Sequence, residues 1–161
     1  MGRVLTESEL VETVARDRAV GRTIAMANGC FDLLHVGHAR YLQAAAAEAD
    51  RLVVAVNDDR SVAALKGPDR PVVSADERAE LVAALVGVDY VVVFGDPNVE
   101  RLLTRLKPDV HCKGTDYTVE TVPERAVVEA YGGRTAIVGD PKTHASRDLV
   151  DRIASSRRAR R

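Results

Sequence analysis

The sequence predicts an α/β domain: a doubly wound, parallel, five-stranded sheet with an N-terminal helical appendage. Three observations carry this reading. Short runs rich in Val, Ile and Ala alternate along the chain with stretches of helical periodicity. The short runs are apolar throughout rather than at every second residue, as strands covered on both faces are, and that is the pattern of a parallel sheet wrapped by helices. With 161 residues and 46% hydrophobic content, the chain has the material for one core, so residues 1–161 read as a single domain.

Taken in order, residues 1–20 hold the first helix: Thr6 and Glu9 stand at capping-box spacing, and Leu10, Val14 and Ala15 share a face. The first strand is "TIAMA" (23–27). "NGCFDLLH" is then the loop at its carboxyl end, and "VGHARYLQAAAAEA" the helix that follows. "RLVVAV" (51–56), "YVVVF" (90–94), "DVHCK" (109–113) and "TAIVG" (135–139) supply four more strands. Between them, Ser74 with Glu77 forms a second capping box before "RAELVAALV". Asp96-Pro97 or Asn98 starts "VERLLTRL", and Gly132-Gly133 ends "PERAVVEAY". There is no internal repeat, low-complexity segment or long linker. Residues 157–161 read as a disordered basic tail.

Charge and cysteine content exclude several classes of function. The net charge is −1, but the last seven residues hold four arginines, without which the body carries −5, so it is no general nucleic-acid binder. Cys30 and Cys112 lack the paired spacing of a zinc site, and no run is long enough for a signal peptide or membrane span. The reading is a cytoplasmic protein with reduced thiols and no membrane or nucleic-acid partner.

The chemistry concentrates in residues 27–42. Ligands of doubly wound sheets bind beyond the carboxyl ends of strands near the switch in strand order. A helix beginning there offers unpaired N–H groups and a partial positive charge, which attract phosphate, and Gly37 carries no Cβ to block approach. His35 and His38, three apart, face the same point. A metal pair would need a third ligand, and only Asp32 is nearby. Neither G-x-x-x-x-G-K-[ST] nor G-x-G-x-x-G is present, so the phosphate site is of another kind.

H-x-G-H after a strand is the signature that the nucleotidylyltransferase superfamily carries, and this sequence resembles that superfamily over nearly its whole length. "NGCFDLLHVGHARYL", "VAVNDD", "LKGPDRPV", "ERAELVAALVGVDYVVVF", "KPDVHCKGTDY" and "SRDLVDRI" resemble its D-glycero-D-manno-heptose 1-phosphate adenylyltransferase branch most. The resemblance implies a Rossmann-like nucleotidylyltransferase fold. It also implies attack of a sugar-phosphate oxygen on the α-phosphorus of ATP, release of pyrophosphate, and Mg²⁺ carried with the triphosphate. His35, His38 and Lys66 would be catalytic. Asn28, Gly29, Cys30, Phe31, Gly37, His38, Lys113, Gly114 and Asp116 would surround the nucleotide. Asp32, Lys66 and Arg78 would meet the acceptor, and no resident metal ligand is implied.

The sequence departs from the family at the start of its final helix. Relatives carry a run of three Ser or Thr residues there, and this chain has Ala145, Ser146 and Arg147, so the Ser146 hydroxyl is expected to bind the nucleotide phosphates and Lys142 and Arg147 to replace the lost hydroxyls on the outgoing ones. His111 has no role in the resemblance and is read as structural. The roughly 40 residues outside the motif-bearing region are too few for a kinase half, so a separate upstream kinase is expected. The resemblance leaves room for a homodimer. Two alternatives stand beside ATP-dependent transfer to a heptose 1-phosphate: a CTP-dependent enzyme acting on glycerol 3-phosphate or a similar acceptor, and a nucleotide-binding regulator without turnover.

Overall fold

The strands form where the apolar runs lie, and all of them pair in parallel. In a computed structural model that describes residues 1–141 and 145–158, they are β1 (Arg3–Val4), β2 (Ile24–Gly29), β3 (Arg51–Asn57), β4 (Tyr90–Phe94), β5 (Val110–Lys113) and β6 (Arg134–Ile137). They make a six-stranded sheet of order β1-β4-β3-β2-β5-β6. The helices are α1 (Glu7–Ala19), α2 (Val36–Ala46), α3 (Asp59–Lys66), α4 (Ala75–Ala83), α5 (Glu100–Leu106), α6 (Arg125–Ala130) and α7 (Ser146–Arg158). From β2 the chain winds outward through β3 and β4, then crosses back to β5 and β6. The switch in strand order therefore falls between β2 and β5, which is where such folds open a crevice.

Each strand is apolar on both sides because both sides are covered. Ala25, Ala27, Val54 and Val56 pack with Leu42 of α2 and Val82 of α4. Ile24, Met26, Val53 and Ala55 pack on the opposite face with Leu10 and Val14 of α1, Leu102 of α5 and Val128 of α6. No helix among the described residues is long and apolar enough to cross a membrane.

The doubly wound parallel sheet is as expected, with four differences in detail. A sixth strand, β1, adds to the edge through Arg3 opposite Tyr90 and Val4 opposite Val91. Two residues, one of them arginine, leave no apolar run to read. α1 is not an appendage, since Leu10 and Val14 are buried; each such side chain contributes about 1.5–3 kcal/mol. An additional helix, α3, follows β3, because Asp58 caps it by accepting from the Ser61 amide at 2.7 Å and Val62 is buried beneath it. α7 continues through Arg158, past the expected start of the basic tail, and residues 159–161 lie outside the described part. Of the two candidate starts for α5, Asn98 serves, its Oδ1 accepting from the Glu100 amide at 3.1 Å.

Candidate active site

The ladder between β2 and β5 pairs residues as far as Ala27 and Cys112 and then opens. At that point the Tyr41 hydroxyl of α2 donates to the Cys112 carbonyl at 2.8 Å, so a side chain takes over where the strands part. Above the opening lies a cavity of about 900 Å³.

His35 is the N-cap of α2, with extended backbone, and its Nδ1 accepts from the Gly37 amide at 3.1 Å. With Nδ1 accepting, the ring proton sits on Nε2, which makes His35 a hydrogen-bond donor at the mouth of the helix. The His35 and His38 rings stack with centroids 3.9 Å apart. Phe31 meets the His38 ring edge-on at 5.5 Å and stacks on Tyr41 at 6.5 Å. Phe31 is itself buried, so it fixes the imidazole pair as well as bordering the cavity. Asn28, Gly29, Cys30 and Gly37 also lie on this wall.

The second wall starts with Lys66, the last residue of α3, which lines the cavity together with Arg70. Asp32 and Arg78, expected to meet an acceptor, are fully buried side chains and do not line the cavity wall. Asp32 accepts from Arg70 Nε at 2.6 Å and from the amides of Val72 and Val73 at 3.0 and 3.1 Å. Burial works against the charge of Asp32, but these donors outweigh it and hold the carboxyl below its ordinary range. Arg78 donates to the carbonyls of Val73 and Cys30 and pairs with Asp59 at 2.8 Å. Together they fasten the loop after α3 onto the loop after β2. Asp32 thereby places Arg70.

The third wall follows β5. Lys113 reaches the cavity, yet its ammonium already pairs with Glu124 at 3.4 Å and lies 4.8 Å over the Tyr117 ring. Lys113 thus ties the loop over residues 114–124 to the sheet. A Cβ on Gly114 would come within 2.9 Å of Asp116 Oδ1, so glycine is what lets that carboxylate fold back at the cavity edge. Gly139 has φ +93, and a Cβ there would stand 3.2 Å from the Tyr41 backbone; its absence lets the turn after β6 close against α2.

The start of α7 closes the ring. The Ser146 hydroxyl, expected on the nucleotide phosphates, donates to the Asp32 carbonyl at 2.6 Å. Asp148 Oδ2 takes the Ala145 amide at 3.2 Å. Arg147 is exposed on the cavity wall and makes no ion pair among the described residues, with Asp151 or any other carboxylate. Lys142 lies outside the described residues.

Sequence reasoning missed Tyr41 and Arg70 as cavity residues. Tyr41 stands three residues after His38, hence on the same helical face, so the spacing held the signal. Arg70 is placed by Asp32, a partner 38 residues away that no local pattern announces. Both thiols are kept protonated. Burial raises Cys30 above its ordinary value and pushes Cys112 to about 12.

The cytidylyltransferase-like family matches residues 26–160. The chain is 44% identical over 153 residues to "Bifunctional protein HldE" of Pseudomonas fluorescens (strain SBW25), covering 95% of this chain and 32% of that protein. It is 45% identical over 150 residues to the protein of the same name from Pseudomonas paraeruginosa (strain DSM 24068 / PA7), covering 93% and 32%. The chain therefore spans about a third of the length of these curated relatives. Among solved structures, it resembles the lipopolysaccharide core biosynthesis protein from Thermoplasma volcanium GSS1. The TM-score is 0.65 with 25% identity, over 76% of this chain and 100% of that one. With H-x-G-H at the mouth of α2 and a family match over nearly its entire length, the chain belongs to the cytidylyltransferase-like family of the nucleotidylyltransferase superfamily.

Proposed function

We propose that the protein transfers AMP from ATP to a sugar 1-phosphate, D-glycero-D-manno-heptose 1-phosphate by resemblance, giving an ADP-heptose and pyrophosphate in the cytoplasm. The observation that carries this reading is the stacked His35–His38 pair at the N-terminus of α2, inside the crevice at the switch in strand order. The likeness to the HldE proteins and to a lipopolysaccharide core biosynthesis protein supports a sugar as acceptor. A kinase acting earlier must supply the sugar 1-phosphate.

The reaction asks the protein for placement and charge rather than for a nucleophile. His35 Nε2–H and the His38 ring face the phosphate that is attacked, and donors held where charge develops are worth about 3 kcal/mol each in such sites. Lys66 and Arg70 lie on the wall from which an anionic acceptor enters, and Arg147 meets the outgoing pyrophosphate. Among the described residues no group of three His, Cys, Asp or Glu side chains is placed to hold a metal. This donor set fits Mg²⁺ held chiefly by phosphate oxygens and water, where it would offset negative charge on the triphosphate.

A second reading, a nucleotide-binding regulator, is favoured by one observation: Ser146, the one hydroxyl left in the motif of the last helix, is engaged with Asp32. Pyrophosphate release measured with ATP or CTP, each against heptose 1-phosphate and glycerol 3-phosphate, separates the readings. Turnover is expected with ATP and heptose 1-phosphate. Equal or better turnover with CTP overturns the choice of base, and nucleotide binding without release from any acceptor supports the regulator.

A further inference from the structure

We propose that His111 is a positioning residue for nucleotidyl transfer: its Nε2–H holds the Asn28 carbonyl oxygen, so the Asn28 amide NH₂ faces the crevice and donates to the phosphate under attack. This goes beyond the adenylyltransferase reading and rests on it.

His111 lies on β5 and Asn28 on β2, the two strands that flank the switch in order. His111 stands opposite Met26 in register, and Asn28 is two residues further along β2, so both side chains project from the same face of the sheet. The Nε2–Oδ1 separation is 3.0 Å, and His111 is fully buried. Desolvation first, and the charge of Lys113 second, push its pKa down to about 3, so the ring is neutral and carries one proton.

The position of that proton follows from the other nitrogen. Nδ1 is buried without a hydrogen-bond partner. A proton there would bury an orphaned N–H, a rarer and costlier state than an unused lone pair. The proton therefore sits on Nε2 and faces Asn28, which must answer with its oxygen. The amide is thereby turned one way, and its two N–H groups are left on the cavity side with no protein partner among the described residues. Asn28 is the next-to-last residue of the strand from which the loop to His35 departs, so this donor lies beside the helix mouth assigned to phosphate.

Three variants and one spectrum test this on the full chain. His111→Leu is expected to lower kcat by about 100-fold, the scale of a lost oxyanion donor, and to change the KM for ATP by less than about 3-fold. Asn28→Ala is expected to match it, and the double variant to be no worse than either single one. His111→Gln, whose amide N–H also reaches Oδ1, should recover most of the rate. Wild-type kcat in His111→Leu, additive losses, or no recovery with glutamine would overturn the proposal and make His111 a packing residue. The ¹⁵N spectrum of the wild-type protein at pH 7 should show His111 protonated on Nε2 and bare on Nδ1; the opposite tautomer overturns the proposal without any turnover assay. Because that spectrum does not depend on the acceptor, failure of the heptose reading and failure of this one are told apart, and the spectrum also decides if His111→Leu does not fold.

Discussion

α2 and α7 both begin on the wall of the same cavity, and they are built in opposite ways. At α2 the capping side chain is an imidazole, which satisfies the Gly37 amide through one nitrogen and keeps the other as a donor. At α7 the residue before the helix is Ala145, with no side-chain oxygen, and the hydroxyl of Ser146 turns away to the Asp32 carbonyl. The first helix start presents directional donors held by the packing of Phe31 and Tyr41. The second presents a long cation, Arg147, on an exposed stem. Under the proposed function the two poles carry different parts of the free energy: α2 is assigned the charge that develops during transfer, and α7 the charge the nucleotide already has.

The largest expected effect comes from the hub that joins the two poles. Asp32 takes Arg70 and two loop amides with its carboxylate and Ser146 with its carbonyl. Asp32→Ala leaves a largely buried Arg70 unpaired and is expected to lower stability by about 3–5 kcal/mol, read by urea denaturation. A loss under about 1 kcal/mol would show that the poles are held independently. Next, His38→Ala should reduce kcat by at least about 100-fold while ATP affinity changes far less; parallel losses would make it a ground-state ligand like the α7 pole.

Arg147→Ala sharpens the contrast from the other side. It should raise the KM for ATP by about 10-fold with kcat within about 3-fold, whereas Ser146→Ala should leave both near wild type and cost about 1 kcal/mol of stability through the lost hydrogen bond. A kcat loss in Ser146→Ala equal to that of His38→Ala would contradict the division of labour.

His111 adds a pH effect. Its pKa is lower when folded than when unfolded, so the unfolded chain binds more protons once the pH falls below about 6.5, and stability declines with acid by up to about 1.4 kcal/mol per unit until about pH 3. Asp32, with a lowered folded pKa, loses its stabilisation only further down, as the pH falls through the carboxylate range. Between pH 6.5 and 5 the histidine term stands apart, and His111→Leu should flatten the stability curve there. An unchanged slope would mean that the ring is not held neutral.

These contrasts also mark what could be read from the chain. The strand at 90–94, the capping boxes at Thr6 and Ser74, and the loop and helix around His35 are local: each is set by residues within one or two turns of each other, and the sequence displays them. β1 was not legible, because its pairing depends on Val91 rather than on any run of its own. Asp32 and Arg78 are placed at the acceptor by the resemblance, and nothing in the sequence shows that they are buried. Apart from Val73, five residues before Arg78, their side-chain partners lie 19 to 48 residues away along the chain, so that burial becomes visible only in the fold. His111 was legible as a buried residue but not as a neighbour of Asn28, since strand order decides that contact.

The proposed function implies a single in-line displacement at the α-phosphorus, with imidazole donors on one side and a cation on the other. The stereochemical course tests this most directly. Transfer from ATP carrying one sulfur at the α-phosphorus as a single diastereomer should give a product inverted at phosphorus, the signature of one displacement. Retention would mean two displacements through a covalent nucleotidyl-enzyme, and would contradict a site that works by placement and charge alone.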